Sequence, residues 1–205
     1  MSNLHCTAAQ RSRWSGVAAA LCAASLLAVA LTTHAEINER LDYTDYPVQG
    51  AHRGSLGKAL DENSPIHYAG TIYHAYTTWL VSWRYSWRTQ PDGNCRIDQV
   101  AIDLHSTITL PRLEGGSPLL HERFARYLGA LREHELGHHQ IGRQAAQAIQ
   151  QELEGMPPMA DCRRLSTAAN KLASRTIARF RNEERTYDLI SEHGRLQGAR
   201  LDYDY

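Results

Sequence analysis

"LLHERFARYLGALREHELGHHQIGRQAAQA", Leu119 to Ala148, decides the fold. Within it and at its edges, Leu120, Phe124, Tyr127, Leu131, His134, His138, Ile141, Ala145 and Ala148 follow one another in alternating steps of four and three. Residues at that spacing share one face of an α-helix. The pattern predicts one long helix, from about Pro118 to Glu154, with this stripe turned inward. Two members of the stripe are histidines. His134 and His138 lie one above the other on the buried face, and both can reach a single Zn2+ at ~2.0–2.1 Å. Glu135 stands about 100° round the helix, from where its carboxylate can reach a water on that ion without binding the ion itself. This is the H-E-x-x-H arrangement, in which zinc is the Lewis acid and Glu135 the general base. Gly137, inside the motif, costs about 1 kcal/mol of helix propensity. A close approach by another segment or by a substrate would justify it. His139 lies off the stripe and is expected to face solvent or to support the ligands from behind.

The rest of the chain frames this helix. "GMPPMADC", Gly155 to Cys162, breaks it. A second helix is expected from about Asp161 to Thr186, with Asp161 as its N-cap and Leu165, Ala169, Leu172, Thr176 and Phe180 on its inner face. Upstream, period-two alternation runs from Tyr73 to Trp87 and again from Val100 to Leu110. "TQPDGNC", Thr89 to Cys95, is dense in turn formers, so the two segments are expected to pair antiparallel. "YPVQG" (Tyr46 to Gly50) reads as a short strand and Ser55 to Asp61 as a short helix. The class is α+β: a small antiparallel sheet packed on two long helices. Trp79, Trp83 and Trp87 recur every fourth residue along one strand face, which reads as a core face rather than an aromatic platform for a sugar or peptide. His74 and His105 fall on the polar side and are expected to be exposed.

Lys and Arg number 22 and Asp and Glu 22, so no basic excess is present to neutralise phosphates and no nucleic-acid partner is expected. Arg11 and Arg13 precede an uncharged apolar run, Gly16 to Leu31, and small residues at Thr33 to Ala35. Residues 1–35 therefore read as a signal peptide cleaved after Ala35, leaving one domain over residues 36–205 in the periplasm or outside the cell. Membrane contact is expected only through that segment, if it stays uncleaved. Cleavage removes Cys6 and Cys22. Cys95 and Cys162 remain and are expected to form a disulfide that closes a 67-residue separation, worth roughly 4 kcal/mol by chain entropy.

A catalytic zinc needs a third protein ligand and an open position. The helix does not supply it: Ile141 lies three residues past His138, and position 144 is Gln. Chemically suitable residues cluster in "NEERTYDLISEHGRLQG", Asn182 to Gly198, at Glu183, Glu184, Asp188, Glu192 and His193. "REHELGHH" and "YDLISEHGRLQGA" (Tyr187 to Ala199) resemble blocks of a bacterial family, domain of unknown function 922, whose members are predicted secreted zinc-dependent proteases. "TTWLVSWRYSW", "NCRIDQVAIDLHSTITLPRL" and Asp161–Cys162 resemble that family too. Its Tyr-Asp-x-x-Thr-x-His-Gly motif is met by Tyr187, Asp188, His193 and Gly194, with Ser191 in place of threonine. The resemblance implies a zincin-like zinc peptidase fold. His193 is the first choice for the third ligand, because Gly194 permits a turn that aims the ring back at the long helix. Asp188 is the alternative, in a His2Asp set. Tyr187 either donates its hydroxyl to an oxyanion or packs as an ordinary aromatic.

The expected function is zinc-dependent hydrolysis in a peptide or protein substrate. An amidase acting on peptidoglycan peptides would share the site. A non-enzymatic zinc-binding scaffold of the periplasm is the rival of another class, and Glu135 separates them, since a structural site closed by four ligands has no use for a general base.

Overall fold

The computed structural model describes residues 37–51 and 55–201; the expected signal segment, with Cys6 and Cys22, lies outside them. The fold is α+β. In chain order the elements are β1 (Ile37–Val48), α1 (Leu56–Asn63), β2 (Ile66–Tyr68), β3 (Thr71–Tyr73), β4 (Tyr76–Thr89), β5 (Cys95–Leu113), α2 (Pro118–Glu154) and α3 (Cys162–Ser191). A single 3-10 turn, Arg195–Gln197, follows α3.

β4 and β5 pair antiparallel as expected, from Tyr76 opposite Thr109 to Thr89 opposite Cys95. The sheet is not purely antiparallel, however. β1 lies parallel along the other side of β5, with Ile37 beside Ile102, in the order β1-β5-β4. Only the last few residues of β1 are legible as strand in the sequence. Its first half is an exposed edge rich in Asn38, Glu39, Arg40 and Asp42, and it buries side chains only at Tyr46 and Val48. Tyr73 also departs from expectation. It ends a small separate hairpin, β2–β3, closed by Ala69 and Gly70, both at positive φ. Positive φ at both central positions is the mirror-image turn that suits a two-residue hairpin.

One face of the sheet is the core face. Trp79, Val81, Ile102 and Leu104 pack there against Ala145, Ala146, Ile149 and Leu153 of α2 and Leu165, Ala169 and Ala173 of α3. Trp79 is buried, Trp83 partly buried and Trp87 exposed, so the tryptophan face is core at one end and leaves it at the other. A second cluster, Val48, Leu56, Leu60, Phe124, Tyr127 and Leu131, surrounds the first turns of α2. The two histidines of the motif sit between these clusters.

α2 begins where the pattern places it. Ser117 caps it, its side chain accepting from Leu120 N at 3.2 Å, and Pro118 occupies the first turn, where no amide hydrogen is needed. Its buried residues include Phe124, Tyr127, Leu131, His134 and His138, then move to Gly142, Ala145, Ala146, Ile149 and Leu153. Ile141 and Ala148 are only partly buried. Steps of four and three average 3.5 residues, whereas the helix turns every 3.6, so the true stripe drifts about 20° per heptad away from the repeating pattern.

α3 runs antiparallel to α2. Thr176 bonds Glu152, Glu184 lies against His138 and Asp188 against His134, so partners descend on one helix as they ascend on the other. Asp161 caps α3, accepting from Arg164 N at 2.7 Å. The helix reaches Ser191, five residues beyond the expected end at Thr186. The Cys95–Cys162 disulfide ties the start of β5 to the start of α3.

His139 is a correction. It faces inward and is 6 % exposed, with Nδ1 2.9 Å from Ser106 Oγ of β5 and Nε2 3.0 Å from Glu39 Oε1 of β1. Arg143 donates to the same Glu39 carboxylate at 2.8 Å. This chain of bonds pins the parallel strand to α2. His74 is a second correction. Its side chain is 14 % exposed and lies between Tyr127 OH at 2.6 Å and Asp61 Oδ1 at 2.8 Å. His105 is half exposed beside Asp42, as expected.

Candidate metal centre

α2 and α3 each turn a pair of residues four apart toward the other. From α2 come His134 and His138; from α3 come Glu184 and Asp188. Side chains four apart on a helix share one face, and the antiparallel packing sets Asp188 opposite His134 and Glu184 opposite His138.

His134 Nε2 and His138 Nε2 lie 3.3 Å apart. Asp188 Oδ1 is 3.2 Å from the first and 3.0 Å from the second. Tetrahedral zinc with bonds of about 2.0–2.1 Å has ligand-to-ligand edges of about 3.3 Å. The three atoms therefore already form one face of such a tetrahedron, and two imidazoles with one carboxylate are a donor set that zinc accepts. Among the described residues these three make the group whose ligand atoms converge, all within 4.8 Å of one another.

The first-choice ligand, His193, is not in that group. The chain turns left-handed after α3, with φ of 49° at Glu192, 52° at His193 and 82° at Gly194. The turn is pressed against α2: a Cβ on Gly194 would stand 3.0 Å from His134 Cβ. His193 is thereby brought back toward the centre, as the glycine suggests, but only to its rim. Its side chain is 48 % exposed, its Nδ1 is 3.4 Å from Asp188 Oδ1, and its ring meets Tyr73 of the β2–β3 hairpin edge-on. Asp188, the alternative, takes the converging position.

The outer nitrogens of both histidines also face a partner. His134 Nδ1 is 2.9 Å from Gln197 Oε1. His138 Nδ1 is 3.5 Å from Glu184 Oε1. A partner at Nδ1 fixes the tautomer that leaves the Nε2 lone pair for an ion. Burial alone would raise the Asp188 carboxyl, but bonds to His134 and His138 and the charges of His138 and His193 outweigh it and hold the group well below the usual carboxylate range. Burial likewise acts to lower His138. The Asp188 and Glu184 carboxylates reverse that and push it up to about 9 in the metal-free protein.

Glu135 is buried at 4 % exposure beside this group, on the strand side, where Thr77 Oγ1 of β4 donates to its Oε2 at 2.7 Å. Burial pushes its carboxyl up, while the Thr77 bond and the neighbouring His138 and His134 draw it partly back down. A carboxylate made more basic by burial, yet kept out of the ligand group, suits proton transfer.

Tyr187 packs against the first histidine of the pair. Its ring stacks on His134, centroids 4.9 Å apart and 11° from parallel. Its hydroxyl donates to His134 O at 3.2 Å and accepts from Gln197 Nε2 at 3.0 Å. It also explains the helix glycine. A Cβ at position 137 would lie 2.1 Å from the Tyr187 hydroxyl oxygen and 2.4 Å from Cζ, so the close approach is by α3. Gly129, in the same helix, faces open space: a Cβ there would meet nothing within 4 Å, so this position serves as the control. Gly129→Ala is expected to stabilise by about 0.5–1 kcal/mol through helix propensity. Gly137→Ala is expected to destabilise by about 1–3 kcal/mol as Tyr187 is driven out. Thermal unfolding of the two variants beside wild type checks the opposite signs.

Thr77, Gln197 and the Trp79–Arg181 pair beside Glu184 are not singled out by the sequence. Each makes its contacts across elements, which leaves no pattern along the chain.

Residues 43–194 match the family described as bacterial protein of unknown function, DUF922. The chain belongs to that family. No curated protein and no solved structure matches the chain. The DUF922 match contains His134, Glu135, His138, Glu184, Asp188 and His193 and ends at Gly194, the glycine packed on His134. Gln197, the partner of His134 Nδ1, falls just beyond it.

Proposed function

We propose that this chain is an exported, zincin-like, zinc-dependent peptidase, with His134, His138 and Asp188 holding the ion and Glu135 as the general base. The observation that carries the reading is the convergence of the two Nε2 atoms and Asp188 Oδ1 at tetrahedral edge lengths, beside a buried carboxylate that is not one of them. A bound zinc would supply Lewis acidity for a peptide carbonyl and for the attacking water. Glu135 accepts the proton of that water and passes it to the departing amine. Thr77 holds the Glu135 carboxylate by its Oε2 while it does so. Gln197 and Tyr187 fix the plane of His134, and His193 lines the rim where substrate enters. A purely structural ion would be closed by four protein ligands and would not need Glu135.

The test is metal removal. Purified protein is expected to carry one zinc per chain and to cleave an unstructured protein substrate such as casein. A chelator should abolish cleavage and stoichiometric zinc should restore it. Zinc bound at one per chain with no cleavage of casein, of peptide libraries or of peptidoglycan peptides would replace this reading with the non-enzymatic one.

A further inference from the structure

We propose that Glu184 is a positioning residue for this centre: clamped between Trp79 and Arg181, it holds His138 by Nδ1 with Nε2 turned to the ion. The proposal rests on the metal reading above and adds to it a group that touches neither ion nor substrate.

The clamp is closed on every side. Glu184 Oε1 accepts from Trp79 Nε1 at 2.6 Å, and the same oxygen lies 3.5 Å from His138 Nδ1. Glu184 Oε2 accepts from Arg181 Nη1 at 2.8 Å. Arg181 donates through Nη2 to the backbone oxygen of Trp79 at 2.8 Å, and its guanidinium lies 3.7 Å over the tryptophan ring. Strand β4 and helix α3 are thus joined through one indole, one carboxylate and one guanidinium. The indole is itself seated in α2, because Gly142 leaves it room: a Cβ there would be 2.9 Å from Trp79 Cγ. A carboxylate whose two oxygens are both engaged cannot rotate away, so it presents a fixed negative charge 3.5 Å from His138 Nδ1.

The two histidines are backed unequally. His134 has a neutral amide, Gln197, at Nδ1; His138 has a carboxylate. An amide orients an imidazole. A carboxylate orients it and also raises its strength as a ligand, and loss of such a partner typically weakens metal binding about 10- to 100-fold. Burial tends to raise the Glu184 carboxyl, but His138, Arg181 and Trp79 outweigh it and keep the group ionised.

The experiment measures zinc affinity by competition with a chromophoric chelator in wild type, Glu184→Gln and Glu183→Gln, together with the visible absorption of the cobalt(II) forms. Glutamine keeps an oxygen for Trp79 and removes the charge. Glu184→Gln is expected to bind zinc about 10- to 100-fold more weakly, with a shifted cobalt band and a metal-free protein that still folds. Glu183→Gln, an exposed neighbour, is expected to match wild type throughout. Wild-type affinity and spectrum in a folded Glu184→Gln would overturn the proposal, as would a fall in unfolding temperature with no change in affinity. No zinc binding by wild type would instead sink the metal reading itself.

Discussion

Glu135→Gln is expected to retain one zinc per chain and to lose about 10²- to 10⁴-fold in the rate of peptide cleavage. The substitution keeps the shape of the side chain, and its amide oxygen still accepts from Thr77, so the contact between β4 and α2 survives. Glu135 lies outside the converging His134–His138–Asp188 group, so the ion keeps its ligands. What disappears is a buried carboxylate whose proton affinity is raised by its surroundings. Metal content by elemental analysis and turnover of a fluorogenic peptide separate these effects. Turnover close to wild type would show that another group takes the proton. Loss of zinc would show that Glu135 is a ligand.

Asp188→Ala is expected to reduce zinc affinity by well over the ~100-fold typical of losing a group behind a ligand, and to abolish cleavage with it. His193→Ala is expected to keep the metal. The contrast follows from where the two residues sit. Asp188 leaves the last turns of α3 with its Oδ1 within 3.2 Å of both Nε2 atoms. His193 is half exposed, with its Nδ1 3.4 Å from that same oxygen and its ring against Tyr73 at the rim. Equilibrium dialysis of the two variants against zinc decides it. Metal lost with His193 and retained without Asp188 would mean that the left-handed turn swings inward when the ion binds, with the histidine replacing the carboxylate.

The long helix is legible in the sequence because nine residues in alternating steps admit no strand reading, and its candidate metal-binding pair is legible because two of the nine are histidines. The third ligand is harder to rank for a physical reason. Apolar periodicity marks α3 only as far as Phe180. The same inward face continues through Glu184, Tyr187, Asp188 and Ser191, which are polar, so the helix looks finished five residues early. Placed in a loop, Asp188 and His193 are both free to turn toward the ion. Placed on a helix four residues after Glu184, Asp188 must face α2. His139 is misplaced by the opposite error. Being off the stripe implies solvent only so long as nothing covers that side, and β1, a polar edge strand with little alternation, is invisible beyond its last residues. The Cys95–Cys162 pair needs no geometry to anticipate, only the parity of cysteines left after the expected signal segment.

On the proposed reading, α3 carries two fastenings that folding alone does not supply: its disulfide to β5, and the zinc that Asp188 would share with the paired histidines of α2. Near the connection between the helices stands the disulfide; roughly 39 Å away along α3, 26 residues at about 1.5 Å each, stand Asp188 and the paired histidines. One fastening needs an oxidant and the other a cation, and both must come from the surroundings. Chain in a reducing, metal-poor compartment would have neither, and its α3 would be held by packing and by side-chain bonds such as Thr176 to Glu152. If the zinc reading holds, the molecule would read its address chemically, its working shape completed where electrons can be given up and zinc can be found.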